Sequence, residues 1–464
     1  MSTLSVTDCS ATQLSQRVAR REVSCVEVAE AFLERIAALD DTYHALISRR
    51  PSDEVLAEAR VMDAELDAGT TRGWMHGLPH AVKDLVDVRG LKTTQGFQPH
   101  SDVGLAERDE PFVARIRAEG ALFVGKTNTP EFGLGSHTYN TVAPPTGNIS
   151  DPRLSAGGSS GGAAVAVAAG LVPVADGSDF MGSLRNPPGW NGVLGLRPSP
   201  GVVPGDPSEP DDAGLAVDGP IGRTVADVAA LLATMSGSSP PQHVATQPDA
   251  APRAAWLSDL CNTLPFEPGI LDACHAAAER WSPSLAEERL RADGLFTGRE
   301  ALWDAWVTLR HEAVGGWLVG EFSRAELARM KPEAQWEIDG FRSLTVADRE
   351  AAASIRQGLR RSLQRLFETY DLLILPTAQV WPFPVEQTWP TRIGDVEMDT
   401  YHRWMEVTTL ATLAGLPVLA APAGVNKVGL HIGVQVIGRP QGDDALLGWA
   451  GWAEERGVFA VQRP

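Results

Sequence analysis

The sequence predicts an α/β protein whose β-sheet is covered by helices. Strand-like and helix-like segments alternate through about residue 230, a pattern that is typical of α/β folds. Two later apolar runs, Leu372–Leu375 and Val418–Ala421, predict further strands of the same sheet. Because the chain returns to its core after residue 370, one domain over residues 1–464 is favoured over the two or three that the length allows.

Hydrophobic spacing predicts the individual elements. Apolar residues recur every three or four positions at Val26, Ala29, Leu33 and Ile36, which predicts one helix from Ser10 to about Leu39. Further strands are predicted at Pro79–Lys83, Ala121–Val124 and Leu171–Ala175, and further helices at Val113–Glu119 and Ala163–Ala169. Residues 237–253 are rich in proline and small polar residues and predict a linker or surface loop. Residues 255–370 are helical and rich in tryptophan.

Composition excludes several classes of partner. The formal net charge is −19 and no run of lysine or arginine occurs, which argues against nucleic acid or an anionic membrane as the main partner. The cysteines show no CxxC pairing, so free thiols are expected rather than disulfides or a zinc site; they are Cys9, Cys25, Cys261 and Cys274. The N-terminal segment is polar, and the longest apolar run, Ala163–Ala175, is too short for a membrane helix. We expect a cytoplasmic protein.

Two serine-bearing glycine turns carry the strongest chemical signal. They are Gly157–Gly162 (GGSSGG) and Gly177–Ser183 (GSDFMGS), joined by a segment of small apolar residues. Glycine lets the backbone approach a bound group and adopt positive φ. Serine hydroxyls beside unpaired N–H groups suit acyl transfer, in which the nucleophile needs donors for a developing oxyanion. The turns therefore predict a serine hydrolase.

Three other motifs match their chemistry poorly. Gly120–Thr127 fits the phosphate-loop pattern, but its variable residues are apolar and predict a strand. Gly157–Gly161 fits the GxSxG nucleophile elbow, although a loop precedes it instead of a strand. His76 and His80 have the spacing of zinc ligands on a helix, but the glycine and proline between them prevent a helix. We expect neither a nucleotide site nor a metal site here.

Lys83 is a further candidate for chemistry. It lies between apolar residues on a predicted strand, and lysine is seldom buried without a role or a partner. Burial favours the neutral amine, which can take a proton from a serine directly or through a second hydroxyl. A structural salt bridge to Asp84 or Asp87 accounts for the spacing equally well.

Several ordered motifs together resemble the amidase signature family. The matching runs are Gly77–Gly96, Gly125–Ser136, Gly157–Gly162, Gly177–Pro204, Asp371–Thr377 and Leu413–Pro440. The resemblance marks residues 77–204 as the motif-bearing catalytic core and 240–370 as a variable helical region expected to shape the substrate entrance. The run ADGSDFMGSLRNPPGWN is similar to the branch containing the 6-aminohexanoate cyclic dimer hydrolase. The implied fold is a single large domain with a central mixed, twisted β-sheet covered by helices on both faces.

The resemblance also implies a Ser–cisSer–Lys triad. Ser183 matches the nucleophile that forms the acyl-enzyme ester. Ser159 matches the bridging serine next to a cis peptide bond, and Lys83 matches the base at the end of the relay. Asp179 and Arg185 are similar to the charged pair that braces the nucleophile turn.

The substrate pocket is implied in the same way. The backbone amides of the oxyanion hole are those of Phe180, Met181, Gly182 and Ser183, and Gly133, Leu134 and Met181 are implied substrate-binding residues. Met181 replaces a glycine of the family pattern, so it is strained if that position requires positive φ, and its side chain is expected to narrow the acyl pocket. Asp176 stands where the family has an apolar residue or glycine.

The implied activity is hydrolysis of the C–N bond of a bulky or apolar non-peptide amide, with esters and carbamates as side substrates and no cofactor. The stripe of Trp303, Trp306 and Leu309 predicts a packed core first, with the wall of an apolar substrate pocket as the alternative. The alternative is the glutamine-hydrolysing component of a tRNA-dependent amidotransferase. A non-catalytic binding module ranks last because all three triad residues are present. A small-molecule amide is the expected partner, and the sequence leaves a homodimer open.

Overall fold

The computed structural model describes residues 5–205, 214–238, 250–260, 264–288 and 298–461. The helices of these ranges are α1 Ala11–Ala19, α2 Cys25–Tyr43, α3 Ser52–Asp67, α4 Pro111–Ala118, α5 Gly161–Ala168, α6 Asn186–Asn191, α7 Val225–Ser236, α8 Ile270–Trp281, α9 Arg299–Arg310, α10 Gly316–Glu321, α11 Arg324–Leu327, α12 Pro332–Ser343, α13 Val346–Thr369, α14 Thr409–Ala414 and α15 Asp443–Glu455. The strands are β1 Leu46–Arg49, β2 Pro79–Lys83, β3 Leu122–Thr127, β4 Val174–Asp179, β5 Leu194–Arg197, β6 Val217–Gly222, β7 Ala254–Trp256, β8 Ala286–Glu287, β9 Leu372–Pro376, β10 Arg392–Ile393, β11 Val396–Glu397, β12 Val418–Val425 and β13 His431–Ile437.

A large mixed sheet and a smaller sheet organise the chain. Over the described ranges, the large sheet has the order β4-β6-β5-β12-β13-β9-β7-β8. Its pairs are antiparallel from β4 to β9, whereas β9 with β7 and β7 with β8 are parallel. The smaller sheet has the order β1-β3-β2. Helices flank the large sheet, so the predicted α/β class with a mixed sheet is confirmed.

The two sheets meet where β2 lies beside β4. The carboxylate of Asp176 on β4 is hydrogen-bonded by the His80 ring and by the backbone N–H of Lys83, both on β2. This contact places the C-terminal end of β2 next to the turn that follows β4. The candidate site lies at that junction.

The first predicted helix is wrong in its extent, because the structure divides it into α1 and α2. Arg21, between them, has a left-handed φ of 60°. Ser24 then caps α2: its hydroxyl accepts from the Glu27 N–H, and the Glu27 side chain accepts from the Ser24 N–H. A Ser-x-x-Glu pattern at this spacing is a helix start signal, and it outweighs the continuous apolar stripe.

Two other boundaries differ from the predicted ones. The predicted strand at Leu171–Ala175 begins only at Val174, because the Leu171 and Val172 N–H groups bond back to the Ala166 carbonyl and close α5. The predicted helical stretch 255–370 contains α8 to α13 but starts with β7, which pairs with β9 in the large sheet. Of the predicted linker 237–253, residues 239–249 lie outside the described residues.

The apolar core fills the space around both sheets. Trp303 and Trp306 of α9 are buried in the core of the large sheet, as the packing interpretation of the stripe expected. Every side chain of the small-residue helix α5 is buried, which explains why its sequence shows no polar face. None of the helices in the described part of the chain combines the length and apolar character needed to cross a membrane.

Candidate functional site

The structure brings Lys83, Ser159 and Ser183 together. Lys83 is the last residue of β2, Ser159 lies in the turn before α5, and Ser183 lies in the turn after β4. Lys83 Nζ is 2.8 Å from Ser159 Oγ, and Ser159 Oγ is 3.0 Å from Ser183 Oγ. The Gly158–Ser159 peptide bond is cis. The three side chains are only 2%, 3% and 6% exposed, respectively, so the chain of contacts lies in a water-poor interior.

Hydroxyl groups surround the amine of Lys83. Its Nζ also lies 2.9 Å from Ser160 Oγ and 2.9 Å from Ser178 Oγ. Three hydroxyl oxygens can accept from an ammonium group, and a neutral amine can donate to two and accept from the third. Burial, opposed by nearby carboxylates, lowers the pKa of Lys83 from 10.5 to about 7. Both protonation states are therefore accessible near neutral pH.

The salt-bridge interpretation of Lys83 does not match the contacts. Among the described residues, no carboxylate lies within ion-pair distance of Lys83 Nζ. Asp84 is paired with Lys126 instead, at 3.3 Å, and its carboxylate also accepts from the Thr94 backbone N–H. The sequence-adjacent acid thus belongs to a separate buried pair.

A buried charge pair braces the turn that carries Ser183. The Asp179 carboxylate accepts from the Gly182 and Leu184 N–H groups and from the Arg185 guanidinium, with an Arg185 Nη2 to Asp179 Oδ1 distance of 2.7 Å. Arg197 also contacts Asp179. Arg185 and Arg197 hold the pKa of the Asp179 carboxyl well below its usual range despite complete burial. The expected Asp179–Arg185 brace is thus present in the contacts.

The same turn presents unpartnered backbone amides. No described residue accepts a hydrogen bond from the N–H groups of Phe180, Met181 or Ser183, whereas the Gly182 N–H is bound by Asp179. Gly182 has φ +91°, and Met181 does not have positive φ. The left-handed residue of the turn is therefore the glycine, and the strain considered for Met181 is absent. The Met181 side chain is buried in the core of the large sheet.

The loop at Gly133 and Leu134 runs past the bridging serine. A Cβ built on Gly133 would lie 3.5 Å from Ser159 Oγ and 2.9 Å from Leu85 Cδ1, so this backbone passes directly beside the triad. Lys331, in the segment before α12, donates to the Leu134 carbonyl at 2.6 Å, and its N–H donates to Glu131 Oε1 at 2.9 Å. The variable helical region thus holds this loop in place.

Aromatic side chains pack beside this loop. Phe132, in the loop, is 4.9 Å from Phe97, 5.1 Å from Phe322 and 5.8 Å from Trp317 between ring centroids. We call Phe97, Phe132, Trp317 and Phe322 the aromatic cluster. The partly buried side chain of Phe180, next to the free amides, packs against the apolar cluster that contains Phe97 and Phe132. Apolar surface therefore adjoins the hydroxyl site.

Sequence reasoning missed Ser160, Ser178 and the partner of Asp176. Ser160 and Ser178 lie within the two glycine turns, so the turns themselves marked them, but nothing in their spacing showed that both would reach Lys83. Asp176, noted only as a departure, forms a buried pair with His80 at 3.0 Å. Because His80 and Asp176 lie on different strands, β2 and β4, the sequence alone does not show that they pair.

The remaining histidine motif has a structural explanation. His76 Nε2 contacts the Met62 carbonyl and its Nδ1 accepts from the Arg72 N–H, while His80 turns to Asp176. Across the described ranges, no group of three or more histidine, cysteine, aspartate or glutamate residues has the arrangement of a metal site. Gly120–Thr127 contributes β3, so the phosphate-loop match is a strand.

Comparisons with known proteins agree with the fold and the motifs. A profile of the Amidase family matches residues 27–259 and 317–447. An acylamidase of Rhodococcus erythropolis is 31% identical, covering 98% of this chain and 97% of that protein. The glutamyl-tRNA(Gln) amidotransferase of Thermus thermophilus has an A-type subunit that is 34% identical, covering 94% of each chain.

Solved structures give the same result. A bacterial aryl acylamidase of the amidase signature family superposes with a TM-score of 0.85 at 25% identity, covering 98% of this chain and 97% of that one. The 6-aminohexanoate cyclic dimer hydrolase superposes with a TM-score of 0.83 at 26% identity, covering 98% of each chain. It is one of several comparable neighbours, so the likeness does not assign this chain to that branch.

Fold, motifs and relatives together define an amide-hydrolysing enzyme of the amidase class. The chain belongs to the Amidase family, whose profile covers most of its length.

Proposed function

We propose that the enzyme cleaves amides through an acyl-enzyme on Ser183, with Ser159 and Lys83 as its proton relay. The observation that carries the proposal is the continuous contact from Ser183 Oγ to Ser159 Oγ to Lys83 Nζ, at 3.0 Å and 2.8 Å. A serine hydroxyl is a weak nucleophile until its proton has an acceptor. With a pKa of about 7, Lys83 supplies a substantial neutral fraction at neutral pH.

Acylation follows from this arrangement. Ser183 Oγ bonds to the carbonyl carbon while its proton passes to Ser159 Oγ, and the Ser159 proton passes to Lys83 Nζ. The electron pair of the C=O π bond moves to the carbonyl oxygen. The free N–H groups of Phe180, Met181 and Ser183 are donors that suit this oxyanion. Gly182 is not one of these donors, because its N–H already donates to Asp179.

The relay then works in the reverse direction to complete acylation, and it works in both directions again during deacylation. The oxyanion re-forms the C=O bond and the C–N bond breaks as the nitrogen takes a proton from Ser159, which Lys83 reprotonates; the amine leaves and the acyl-enzyme ester remains. Water then attacks the ester carbon and gives its proton to the same relay, after which Ser183 takes a proton back as the C–O bond breaks. The backbone N–H of Ser159 donates to Ser183 Oγ at 2.9 Å and keeps this oxygen oriented through the cycle.

For substrate, we propose a bulky, apolar amide. The support comes from the aromatic cluster beside the Gly133–Leu134 loop and from Phe180 next to the free amides. Apolar walls favour apolar groups because they remove them from water. The likeness to acylamidases agrees with this choice. The Met181 side chain is proposed to narrow the acyl pocket, and the helices of residues 240–370 are proposed to shape the entrance. Esters and carbamates are proposed side substrates.

A substrate panel tests the proposal. Purified protein is offered aryl anilides, aliphatic amides, lactams, aryl esters, carbamates and glutamine, with Ser183→Ala as the control. We expect the highest kcat/KM with an aryl or long-chain amide and loss of turnover in Ser183→Ala. Turnover that persists in Ser183→Ala contradicts the assigned nucleophile, and a preference for small polar amides contradicts the substrate class.

The second candidate is the glutamine-hydrolysing component of a tRNA-dependent amidotransferase. The specific support is the 34% identity to the Thermus thermophilus protein over 94% of each chain. Such a component works in a complex, so its glutaminase activity would depend on partner proteins. Hydrolysis of glutamine alone, stimulated by co-purified partners, would replace the first proposal with this one.

A further inference from the structure

A buried histidine–aspartate pair lies directly behind Lys83. His80 and Lys83 are on β2, and Asp176 is on β4 at the edge of the large sheet. His80 Nε2 lies 3.0 Å from Asp176 Oδ1, and the Lys83 N–H donates to Asp176 Oδ2 at 3.1 Å. The His80 and Asp176 side chains are 0% and 1% exposed. One carboxylate thus binds both a buried imidazole and the backbone of the proposed base.

The hydrogen bonds indicate the charge of this pair. His80 Nδ1 is buried and has no hydrogen-bond partner among the described residues. An imidazolium would leave a buried N–H unpaired there, and that is costly. A neutral ring with its proton on Nε2 donates to Asp176 and leaves only an acceptor nitrogen unused. In this form Asp176 remains a carboxylate whose charge the histidine does not cancel.

The other charged groups around Lys83 differ from Asp176 in their partners or their burial. The carboxylates that favour its protonated form are Asp218 on β6, Asp176 and Asp179. Asp179 is paired with Arg185 and Arg197, and Asp218 is only half-buried. Lys126 on β3, which Asp176 also influences, is paired with Asp84. Asp176 is therefore a buried carboxylate near Lys83 whose one side-chain partner at ion-pair distance, among the described residues, is a histidine and not a lysine or arginine.

We propose that Asp176, oriented by His80, is a positioning residue for Lys83: it fixes the end of β2 through the main chain, and its negative charge raises the proton affinity of the amine. The inference rests on the proposed function, in which neutral Lys83 is the base. Burial alone would drive the amine further toward its neutral form, and a buried carboxylate opposes this. The pair thereby raises the pH at which the relay becomes active, in addition to the larger contribution of Asp218.

The test is the pH dependence of kcat/KM for an aryl anilide. In the wild-type enzyme we expect activity to rise with pH around the Lys83 pKa of about 7. Asp176→Asn keeps the shape and one acceptor oxygen for the Lys83 N–H but removes the charge, so the midpoint should fall by about 0.5 to 1 pH unit. His80→Gln keeps a donor and the carboxylate, so its midpoint should stay at the wild-type pH. A purely structural pair would change the unfolding temperature and leave all midpoints alike.

A second variant covers poor folding of Asp176→Asn. Replacing both residues, as His80→Gln with Asp176→Asn, removes the charge and keeps the polar groups paired, because the asparagine oxygen can still accept from the Lys83 N–H and the glutamine oxygen can accept from the asparagine amide. Its midpoint should also move to lower pH.

Superimposable profiles for the wild type and the charge-removing variants overturn the inference. So does an upward shift in His80→Gln as large as the downward shift in Asp176→Asn, because the histidine would then carry a cancelling charge. Retained turnover in Lys83→Ala would instead remove the proposed function itself, so the two failures are distinguishable.

Discussion

Ser159 contacts Ser183 twice, once through its backbone and once through its side chain. Its N–H donates to Ser183 Oγ at 2.9 Å, and its own Oγ lies 3.0 Å from the same oxygen. The backbone contact orients the nucleophile, and the hydroxyl connects it to Lys83. Because the two contacts come from different groups of one residue, a side-chain deletion separates proton transfer from positioning.

Ser159→Ala is expected to lower kcat about 10³-fold, because it interrupts the relay while the orienting N–H remains. Ser160→Ala is the matched control: Ser160 Oγ also contacts Lys83, but its proton points to the Ser178 carbonyl, outside the relay. We expect the control to lose about tenfold or less. Steady-state kinetics with one anilide substrate compare the two, and equal losses would contradict the assignment of Ser159 as the bridge.

Lys83→Met is expected to change how stability depends on pH. The pKa of Lys83 is lowered in the folded protein to about 7 from 10.5, so the unfolded chain binds more protons between these values. The free energy of unfolding should therefore rise with pH between about 7 and 10.5, by at most about 1.4 kcal/mol per unit, and the penalty is complete below pH 7. Urea unfolding at several pH values measures the free energy of unfolding of both proteins, and the difference between the wild type and the variant should rise with pH in this range. Parallel curves would mean that Lys83 keeps its ordinary pKa.

Gly182→Ala is expected to disturb the nucleophile turn. Gly182 has φ +91°, and an added Cβ would lie 2.8 Å from Thr408 Cγ2. Gly90→Ala is the control, because Gly90 has φ +86° but no atom within 4 Å of the added Cβ. Both variants should lose about 1 kcal/mol of stability from backbone strain, and Gly182→Ala should also lose about 10²-fold in kcat through displaced amides. An unchanged kcat in Gly182→Ala would contradict the placement of the oxyanion site in this turn.

Lys331→Met is expected to loosen the Gly133–Leu134 loop. Lys331 Nζ is nearly buried, binds the Leu134 carbonyl and lies 3.4 Å from Glu333. Its loss leaves a buried carboxylate without its cation, which costs about 3 kcal/mol or more, and we expect KM to rise. Lys92→Met, which removes an exposed lysine-to-carbonyl contact with Ser101, should change stability by less than about 0.5 kcal/mol. Thermal unfolding and KM measure both variants, and a wild-type KM in Lys331→Met would remove the loop from substrate binding.

The sequence predicted the parts of the fold that local patterns determine. Local sequence patterns are enough to predict several elements. These are the apolar strands β2, β3 and β9 and the glycine turns around Ser159 and Ser183. The division between α1 and α2 was missed because a cap at Ser24 competed with a continuous apolar stripe. Long-range relations were not accessible, since His80 and Asp176 are 96 positions apart and meet only when two sheet edges come together.

For the candidate site, too, the sequence identified the residues but not their long-range contacts. Lys83 and the serines could be selected by residue type and by family resemblance, whereas the choice of amides depended on a tertiary contact. The Gly182 N–H is bound by Asp179, so only the folded turn shows which donors are free.

Mass spectrometry after reaction with a fluorophosphonate tests the central claim most directly. The wild-type protein should gain one phosphonyl group, and peptide mapping should place it on Ser183. Ser183→Ala should gain none, and Lys83→Met should react far more slowly at neutral pH. A phosphonyl group on any other residue, or full labelling of Ser183→Ala, would contradict the account.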